Sequence, residues 1–184
     1  MSGSVSVALS QFVEKYLRKA SVSSESLTIE YDPQWPSLCY VSKAEVGEPV
    51  SWQPVKRTCK SDFSDIESAL NVSIHTDLIE FYNEYWSDNL NAIASKGSLQ
   101  LLQAWNEDDF VRLQQNLVGH VLMKQRLKQP ITLFFGLTDD DDFIITLDNQ
   151  SGEVMLEQVG LLPKEVLAPN LASFLHSLEP SFAL

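Results

Sequence analysis

The chain has few of the residues that most often carry catalysis or bind metals. Its three histidines, His75, His120 and His176, lie far apart and form neither an HxxxH nor an HExxH spacing. Its two cysteines, Cys39 and Cys59, lie outside any CxxC pair, which favours reduced thiols over a disulfide. We therefore expect neither a metal site nor a catalytic thiol, and we expect His120, which lies among apolar neighbours, to be a packing residue.

Phosphate-binding and nucleophile motifs are also missing from the sequence. The seven glycines are scattered and none is followed by Lys-Ser or Lys-Thr, so nothing predicts a phosphate-binding loop. No GxSxG motif is present, so nothing predicts a nucleophile elbow. We expect a protein that is not an enzyme and that needs no cofactor.

Long apolar runs are absent as well. The longest stretches, such as residues 133–137, are far shorter than the roughly 20 residues that a membrane-spanning helix needs. The start of the chain lacks both a basic segment and an apolar run, so it does not read as a signal peptide. The sequence therefore predicts a soluble cytoplasmic protein.

Basic residues are outnumbered by acidic ones. The chain has 25 Asp and Glu against 13 Lys and Arg, a net charge of −12, with 44% apolar residues. That composition is typical of a globular chain and not of a disordered acidic tail. Such a surface attracts basic partners and repels nucleic acid and anionic membranes. We expect a basic protein partner, no nucleic acid, no direct membrane insertion and one domain over residues 1–184.

Hydrophobic periodicity predicts an α+β fold. Helices are expected at residues 6–20, 64–70, 77–86, 107–128 and 169–178. Strands are expected at residues 98–104, 131–137, 143–147 and 153–157, with short candidates at 39–42 and 50–52. Because the turns at 139–142 and 149–152 are short, the last three strands should form an antiparallel meander. The result is a single-domain antiparallel meander sheet flanked by helices, with a core over about residues 35–178.

Capping signals predict where several helices begin. Ser64 and Glu67 fit a capping box, and Thr76 is placed to cap the helix that follows. Asn106 is the expected cap of the longest helix, and Pro169 suits the first position of the last one.

The longest helix carries acids in its first turn and the bases Lys124, Arg126 and Lys128 at its end, as the helix dipole favours. Its buried stripe is expected to consist of Phe110, Leu113, Leu117, Val118, Val121 and Leu122.

Two local groups hold part of the acidic excess. We call Glu107, Asp108 and Asp109 the helix-start acids, and Asp139, Asp140, Asp141 and Asp142 the aspartate turn. A calcium site of the EF-hand type is not favoured at the aspartate turn. Counted from Asp139, Ile144 falls at position 6, where glycine is needed, and Gln150 falls at position 12, where glutamate is expected. We expect strand 131–137 to bring the two groups toward one face.

Two readings of the helix-start acids remain open from the residues alone. Acids in the first turn stabilise a helix through its dipole. A carboxylate hydrolase would instead need one acid buried beside an apolar wall, which the neighbouring Trp105 permits.

A set of segments in fixed order resembles the Syd family of bacterial proteins. The most specific block runs from Trp105-Asn106-Glu107-Asp108-Asp109-Phe110 to Gln115-Asn116-Leu117-Val118-Gly119-His120. Further matching segments lie at residues 35–37 (WPS), 52–54 (WQP), 101–103 (LLQ), 126–128 (RLK), 132–134 (TLF), 151–154 (SGEV) and 170–175 (NLASFL).

The resemblance implies a SUKH-like α+β protein that binds SecY, the translocation channel, through its basic cytosolic loops. It implies action on excess or improperly assembled SecY, or regulation of the translocase. It also implies a peripheral position on the cytoplasmic side of the inner membrane, held there by SecY. The binding surface implied is an acidic groove, for which the helix-start acids and the aspartate turn are the candidates. An immunity-type inhibitor of a basic toxin or nuclease is the alternative function.

Overall fold

An antiparallel sheet of seven strands forms the centre of the molecule in a computed structural model, which describes residues 4–23 and 27–182. Within these residues the chain forms five helices: α1 (Val5–Val22), α2 (Ser64–Leu70), α3 (Thr76–Glu84), α4 (Glu107–Arg126) and α5 (Leu171–His176). The same residues form eleven strands: β1 (Thr28–Glu30), β2 (Pro49–Ser51), β3 (Val55–Lys56), β4 (Tyr85–Trp86), β5 (Leu90–Ala94), β6 (Gly97–Leu101), β7 (Thr132–Thr138), β8 (Phe143–Asp148), β9 (Val154–Gln158), β10 (Glu165–Ala168) and β11 (Glu179–Pro180). The large sheet has the order β10-β9-β8-β7-β6-β5-β11, and the other strands pair as β1–β2 and β3–β4.

The predicted meander is present and continues for one strand more than expected. β7, β8, β9 and β10 follow one another in the chain, and each pairs antiparallel with the next. The Phe143 N–H donates to the Asp140 carbonyl at 2.9 Å and closes the first turn. The Gly152 N–H donates to the Asp148 carbonyl at 2.9 Å and closes the second. The predicted α+β class and antiparallel meander are confirmed.

Three strands of the large sheet escape the sequence prediction. The residues of β5 include two alanines and an asparagine, which have low strand propensity, but five residue pairs with β6 hold them extended. β10 and β11 are short, and β11 includes a proline. Conversely, the expected strand at 39–42 is reduced to a single bridge between Tyr40 and Trp52.

Helices lie on both faces of the sheet. The alternation of side chains along β7 shows which helices lie on each face. The Phe135 ring centroid lies 5.5 Å from that of Phe81 in α3 and 5.9 Å from that of Phe174 in α5. The neighbouring Phe134 points to the opposite face, where its ring lies 5.6 Å from His120 of α4. α1 packs on α3 and α5, and α2 packs on α4. We therefore refer to an α5 face and an α4 face of the sheet.

The predicted N-terminal helix is confirmed as α1 and belongs to the hydrophobic core. Its apolar face packs on α3 and α5. The buried residues of α1 are Val5, Ala8, Leu9, Phe12, Val13 and Tyr16. The Tyr16 ring lies 4.7 Å from that of Phe182, so the two ends of the described chain meet.

The large sheet is curled, as the position of one ion pair shows. Lys96, in the turn between β5 and β6, pairs with Glu165 at the start of β10. β6 and β10 are separated by four strand spacings, roughly 19 Å in a flat sheet. A lysine and a glutamate side chain cannot span that distance, so the sheet must bend until the β5–β6 turn approaches β10.

Several helix starts differ from the capping prediction. The Ser64–Glu67 box is wrong: Ser64 donates from its N–H and its hydroxyl to Asp62, and Glu67 accepts from the Ile74 N–H at 2.7 Å. Asn170, not Pro169, begins the last helix, because its side-chain oxygen accepts from the Ser173 N–H at 2.8 Å. A side-chain oxygen satisfies a free helix N–H, which a proline ring cannot do.

The third helix is capped by His75 instead of Thr76. The His75 Nδ1 atom accepts from the Asp77 N–H at 3.2 Å, and the His75 N–H donates to Asn149 Oδ1 at 2.8 Å. Gly152 leaves room for the His75 ring, since a Cβ at residue 152 would lie 2.8 Å from the ring. The φ of Gly152 is +77°, a value that also favours glycine. The same helix ends at Glu84, because Tyr85 and Trp86 pair with β3.

A buried ion pair joins α4 to the sheet and to the turn after β9. The side chains of Lys124 and Glu157 are both fully buried, with Lys124 Nζ 2.8 Å from Glu157 Oε1. Lys124 also donates to Gln129 Oε1 at 2.8 Å and to the Leu161 carbonyl at 3.1 Å. The second Glu157 oxygen accepts from the Thr146 hydroxyl at 2.9 Å. All three ammonium protons are thus used, which is what makes burial of this charge tolerable.

The buried stripe of α4 differs from the expected one because polar residues, Lys124 among them, face inward. Leu122 is 47% exposed, although it was expected to be buried. The inward positions around Val121 are taken by His120 and Lys124. Because these residues are polar, the hydrophobic pattern assigns the last turns of the helix to the wrong face. The expectation that His120 is a packing residue is confirmed: it is buried, and its Nε2 lies 3.0 Å from the Thr132 hydroxyl.

Lys124→Met is expected to destabilise the protein by about 3–5 kcal/mol, because Glu157 is left buried without a counter-charge. Lys124→Met combined with Glu157→Gln should lose less stability than Lys124→Met alone, since no unpaired charge remains. The exposed Arg126→Met on the same helix is the control, with an expected change within about 0.5 kcal/mol. Urea unfolding of the four proteins measures these differences. Equal stability of Lys124→Met and Arg126→Met would contradict the assignment.

Stability is expected to fall as the pH is lowered through the region around 6.5. Burial lowers the pKa of His120 below its ordinary value of 6.5; the charge of Glu157 opposes this shift and that of Lys124 adds to it. The unfolded chain therefore binds this proton at a higher pH than the folded chain, and the stability present above pH 6.5 is lost below it. Urea unfolding between pH 7.5 and 5.5 should show a smaller loss for His120→Gln than for the wild type. An unchanged pH dependence in that variant would exclude His120 as its source.

Candidate functional site

The helix-start acids lie in the first turn of α4, which begins with a reciprocal cap. The Asn106 side-chain oxygen accepts from the Asp109 N–H at 2.8 Å, as the sequence predicts. In return, Asp109 Oδ2 accepts from the Trp105 N–H at 2.9 Å. The Asn106 amide also donates to the Pro36 carbonyl at 2.9 Å, which ties the helix start to the loop before Cys39. The segment from Trp105 to Asp109 is therefore fixed by its own side chains.

The three helix-start acids are not equivalent. Asp109 is 16% exposed, and its second oxygen accepts from Arg112 Nη2 at 2.5 Å. Glu107 and Asp108 are exposed, and among residues 4–23 and 27–182 no ion pair involves either of them. Asp109 thus serves the helix, whereas Glu107 and Asp108 present their charges to solvent.

Aromatic rings support the helix start from below. Trp105 is 5% exposed and meets the rings of Tyr40 and Trp52 edge-on, at centroid distances of 5.1 Å and 5.9 Å. The Trp105 indole N–H donates to the Trp35 carbonyl, and the Ser37 hydroxyl donates to the Trp105 carbonyl. Next to these rings lies a shallow hollow of about 410 Å³, lined by Pro36, Ser37, Leu38, Trp86, Trp105, Asn106 and Glu107.

Asp88 joins this acidic region without being predicted from the sequence. The Ser87 N–H donates to the Ala104 carbonyl at 2.9 Å, which brings residues 87–89 beside Trp105. Burial raises the pKa of Asp88, and the charge of Asp109 raises it further, while a hydrogen bond from the Asn89 N–H opposes the shift. Asp88 lies far from the α4 acids in sequence, so only the pairing of β4 with residue 104 reveals it.

A buried arginine lies behind the same region. Arg57 is 8% exposed, and its guanidinium stacks over the Trp86 ring at 3.8 Å and donates to the Tyr82 carbonyl at 3.0 Å. Burial lowers the pKa of Arg57, and the charge of Glu107 opposes that shift. The neighbouring Lys56 pairs with Glu84 at 2.9 Å. Lys56 and Arg57, which are adjacent in the sequence, are therefore both used in contacts with other parts of the protein.

The aspartate turn connects β7 and β8, as predicted. The Thr138 hydroxyl donates to the Asp140 carbonyl at 2.8 Å, and the Asp142 N–H donates to Asp140 Oδ1 at 3.0 Å. All four aspartates are exposed, and within the described parts of the chain none takes part in an ion pair. Asp139 and Asp140 also line a cavity on the α5 face.

The two acidic groups lie at opposite ends of β6. Leu99 of β6 pairs with Thr138, which is next to the aspartate turn. Ala104 lies beyond the other end of β6, just before the helix-start acids, and pairs with Trp86. Ala104 follows Leu99 by five residue steps, roughly 15 Å along an extended backbone. The expectation that strand 131–137 brings the two groups toward one face is not met: Asp139 and Asp140 line the cavity on the α5 face, whereas the helix-start acids begin α4 beyond the far end of β6.

Among the described residues, no three His, Cys, Asp or Glu side chains are grouped closely enough to hold a metal ion. The Cys39 thiol is buried, which raises its pKa to about 11. No helix in the described part of the chain is long and apolar enough to cross a membrane.

The fold and the site define a class: an α+β protein with a curled antiparallel sheet and two separate acidic surfaces. A family model described as "Syd protein (SUKH-2)" matches residues 6–180. The chain is 50% identical over 183 residues to "Protein Syd" of Pseudoalteromonas atlantica, with 98% of each chain covered. It is 48% identical over 180 residues to "Protein Syd" of Alteromonas mediterranea, again with 98% of each covered. It is 40% identical over 178 residues to "Protein Syd" of Shewanella baltica, covering 96% of this chain and 82% of the relative. The chain therefore belongs to the Syd family.

Asp109→Ala is expected to destabilise the protein by about 1–2 kcal/mol, because the Trp105 N–H and Arg112 lose their acceptor. Asp108→Ala, in the same turn and exposed, is the matched control and should change stability by less than about 0.5 kcal/mol. Thermal and urea unfolding measure both. Equal losses in the two variants would show that Asp109 has no special structural role.

Proposed function

We propose that the protein binds the basic cytosolic loops of SecY through its exposed acids and acts there on excess or improperly assembled SecY, without catalysing a reaction. It would sit on the cytoplasmic side of the inner membrane, held by this partner. Family membership supports the choice of partner. The observation that carries the binding mode is the exposure of Glu107, Asp108 and the whole aspartate turn without ion pairs in the described residues.

Several basic residues make contacts inside the protein or with neighbouring acids. Lys124 and Arg57 are buried, and Lys56 and Arg112 are paired with Glu84 and Asp109. Each ion pair cancels one base with one acid, so the net charge of −12 is carried by the remaining charged residues, among them the exposed acids of the two groups. A field of this sign speeds the encounter with a basic segment and selects against acidic ones.

The helix-start region is the better candidate for the first contact. Glu107 and Asp108 are held on a rigid cap, so a partner meets charges that are already in place. They adjoin the hollow beside Trp86 and Trp105, where the stem of a lysine or arginine can pack while its charge reaches Glu107. The aspartate turn, near the other end of β6, would make a second and separate contact.

Binding to SecY is expected to depend on salt and on these particular acids. Synthetic peptides that cover the cytosolic loops of SecY should bind about tenfold or more weakly at 500 mM than at 50 mM salt, because exposed charges are screened. Glu107→Gln with Asp108→Asn, or Asp141→Asn with Asp142→Asn, should weaken binding about three- to tenfold at low salt. Fluorescence anisotropy measures both effects.

The control variant carries Glu14→Gln and Glu45→Gln, an equal change of charge at exposed acids outside both groups. Its binding should stay within about twofold of the wild type if local charges matter more than net charge. Photo-cross-linking probes at positions 108 and 140 in cells then identify the contact face. Capture of SecY from neither position, or salt-insensitive binding, would contradict the proposal.

A further inference from the structure

The curled sheet encloses a cavity on its α5 face that the acidic surface alone does not explain. Its volume is about 320 Å³, at the lower end of the range for ligand sites. Apolar side chains of the sheet form much of its wall: Leu99 of β6 lines it, and so do Ile145 of β8 and Leu156 of β9, which pair with each other. Phe174 of α5 closes the inner end.

Charges are distributed unevenly around the mouth of this cavity. Asp139 and Asp140 line it, and the rest of the aspartate turn follows directly. Lys96, on the opposite rim, is neutralised by its ion pair with Glu165. Lys164 also lines the cavity, with its ammonium 4.9 Å from the centre of the Phe143 ring. Two aspartates thus face one lysine that is not paired with Glu165, and the next two residues of the chain, Asp141 and Asp142, add to the negative charge near the mouth.

We propose that this cavity receives an apolar side chain from the basic segment that the aspartate turn binds. The inference rests on the proposed function and adds to it a hydrophobic anchor. A segment with an apolar residue close to lysine or arginine complements both the wall and the rim. Anchors of this kind supply most of the affinity in many interfaces, whereas exposed charges mainly steer the encounter. The recognised sequence is therefore amphipathic, and not merely basic.

Other occupants fit the charges less well. A second copy of the chain would bring another net charge of −12 toward the aspartate turn. An anionic amphiphile such as a fatty acid would place its carboxylate beside Asp139 and Asp140, with Lys164 as counter-charge, since Lys96 is paired with Glu165.

The test begins with the wild-type protein and the SecY loop peptide that binds it most tightly. Each apolar residue of that peptide is replaced by alanine, one at a time, which leaves its charge unchanged. Replacement of the anchor should weaken binding about tenfold or more, with the salt dependence unchanged. If every replacement stays within twofold, the cavity does not hold an anchor.

Two protein variants distinguish a hydrophobic anchor from simple charge attraction, because the two models predict opposite changes in binding for Leu156→Asp but not for Val159→Asp. Leu156→Asp adds a negative charge to the cavity wall and should weaken binding, although charge attraction alone would strengthen it. Val159→Asp adds the same charge at an exposed residue whose N–H contacts the Asp142 carbonyl, and should bind as well as the wild type or better. Leu156→Ala, which keeps the charge and is easier to fold, should weaken binding about threefold or more. Circular dichroism confirms the fold of each variant.

The outcomes separate this inference from the function on which it rests. If no loop peptide binds the wild type, the proposed function fails and the anchor fails with it. If a peptide binds in a salt-dependent manner but is insensitive to the alanine replacements and to Leu156→Asp, only the anchor is overturned. Competition of a fatty acid with the bound peptide in the wild type, without any effect of the peptide's apolar residues, would assign the cavity to a small amphiphile instead.

Discussion

The ion pair between Lys124 and Glu157 is the contact on which the position of α4 depends. It is fully buried and satisfied by Thr146, Gln129 and the Leu161 carbonyl, so it fixes the helix to β9 and to the turn that follows. Apolar packing can slide by small steps, but a buried charge tolerates only the position in which its partners meet it. The first turn of the same helix carries the helix-start acids. A contact near the C-terminal end of α4 thus helps to determine where charges at its N-terminal end face solvent.

Acidic residues in this chain have three different fates, and their sequence context does not separate them. Glu157 is buried with a counter-charge, Asp109 caps a helix, and Asp108 remains free in solvent. A count of charge treats them alike, although only the last kind is available to a partner. The effective charge of the surface is therefore set by which acids the fold consumes. The same reasoning holds for the bases, since the charge of Lys124 is cancelled by Glu157 in the interior.

The sequence predicts the parts of this fold that depend on local pattern. The meander after Pro130, the Asn106 cap and the N-terminal helix follow from alternation, turn residues and helical spacing, and all are present. Features set by distant contacts could not be predicted in this way. His75 replaces Thr76 as a cap because Asn149 and Gly152 come to it from the distant turn between β8 and β9. The separation of the two acidic groups depends on the direction in which β6 leads into α4, which no local pattern contains.

The ion pair between Lys96 and Glu165 has a consequence for the dynamics of the sheet. The pair is exposed, with 60% and 35% of the two side chains accessible, and such pairs contribute at most about 1 kcal/mol. At that value the two charges separate in roughly one molecule in six at 25 °C. The contact between the β5–β6 turn and β10 is therefore expected to break and re-form repeatedly. The curvature of the backbone persists through these openings because hydrogen bonds along five neighbouring strands maintain it.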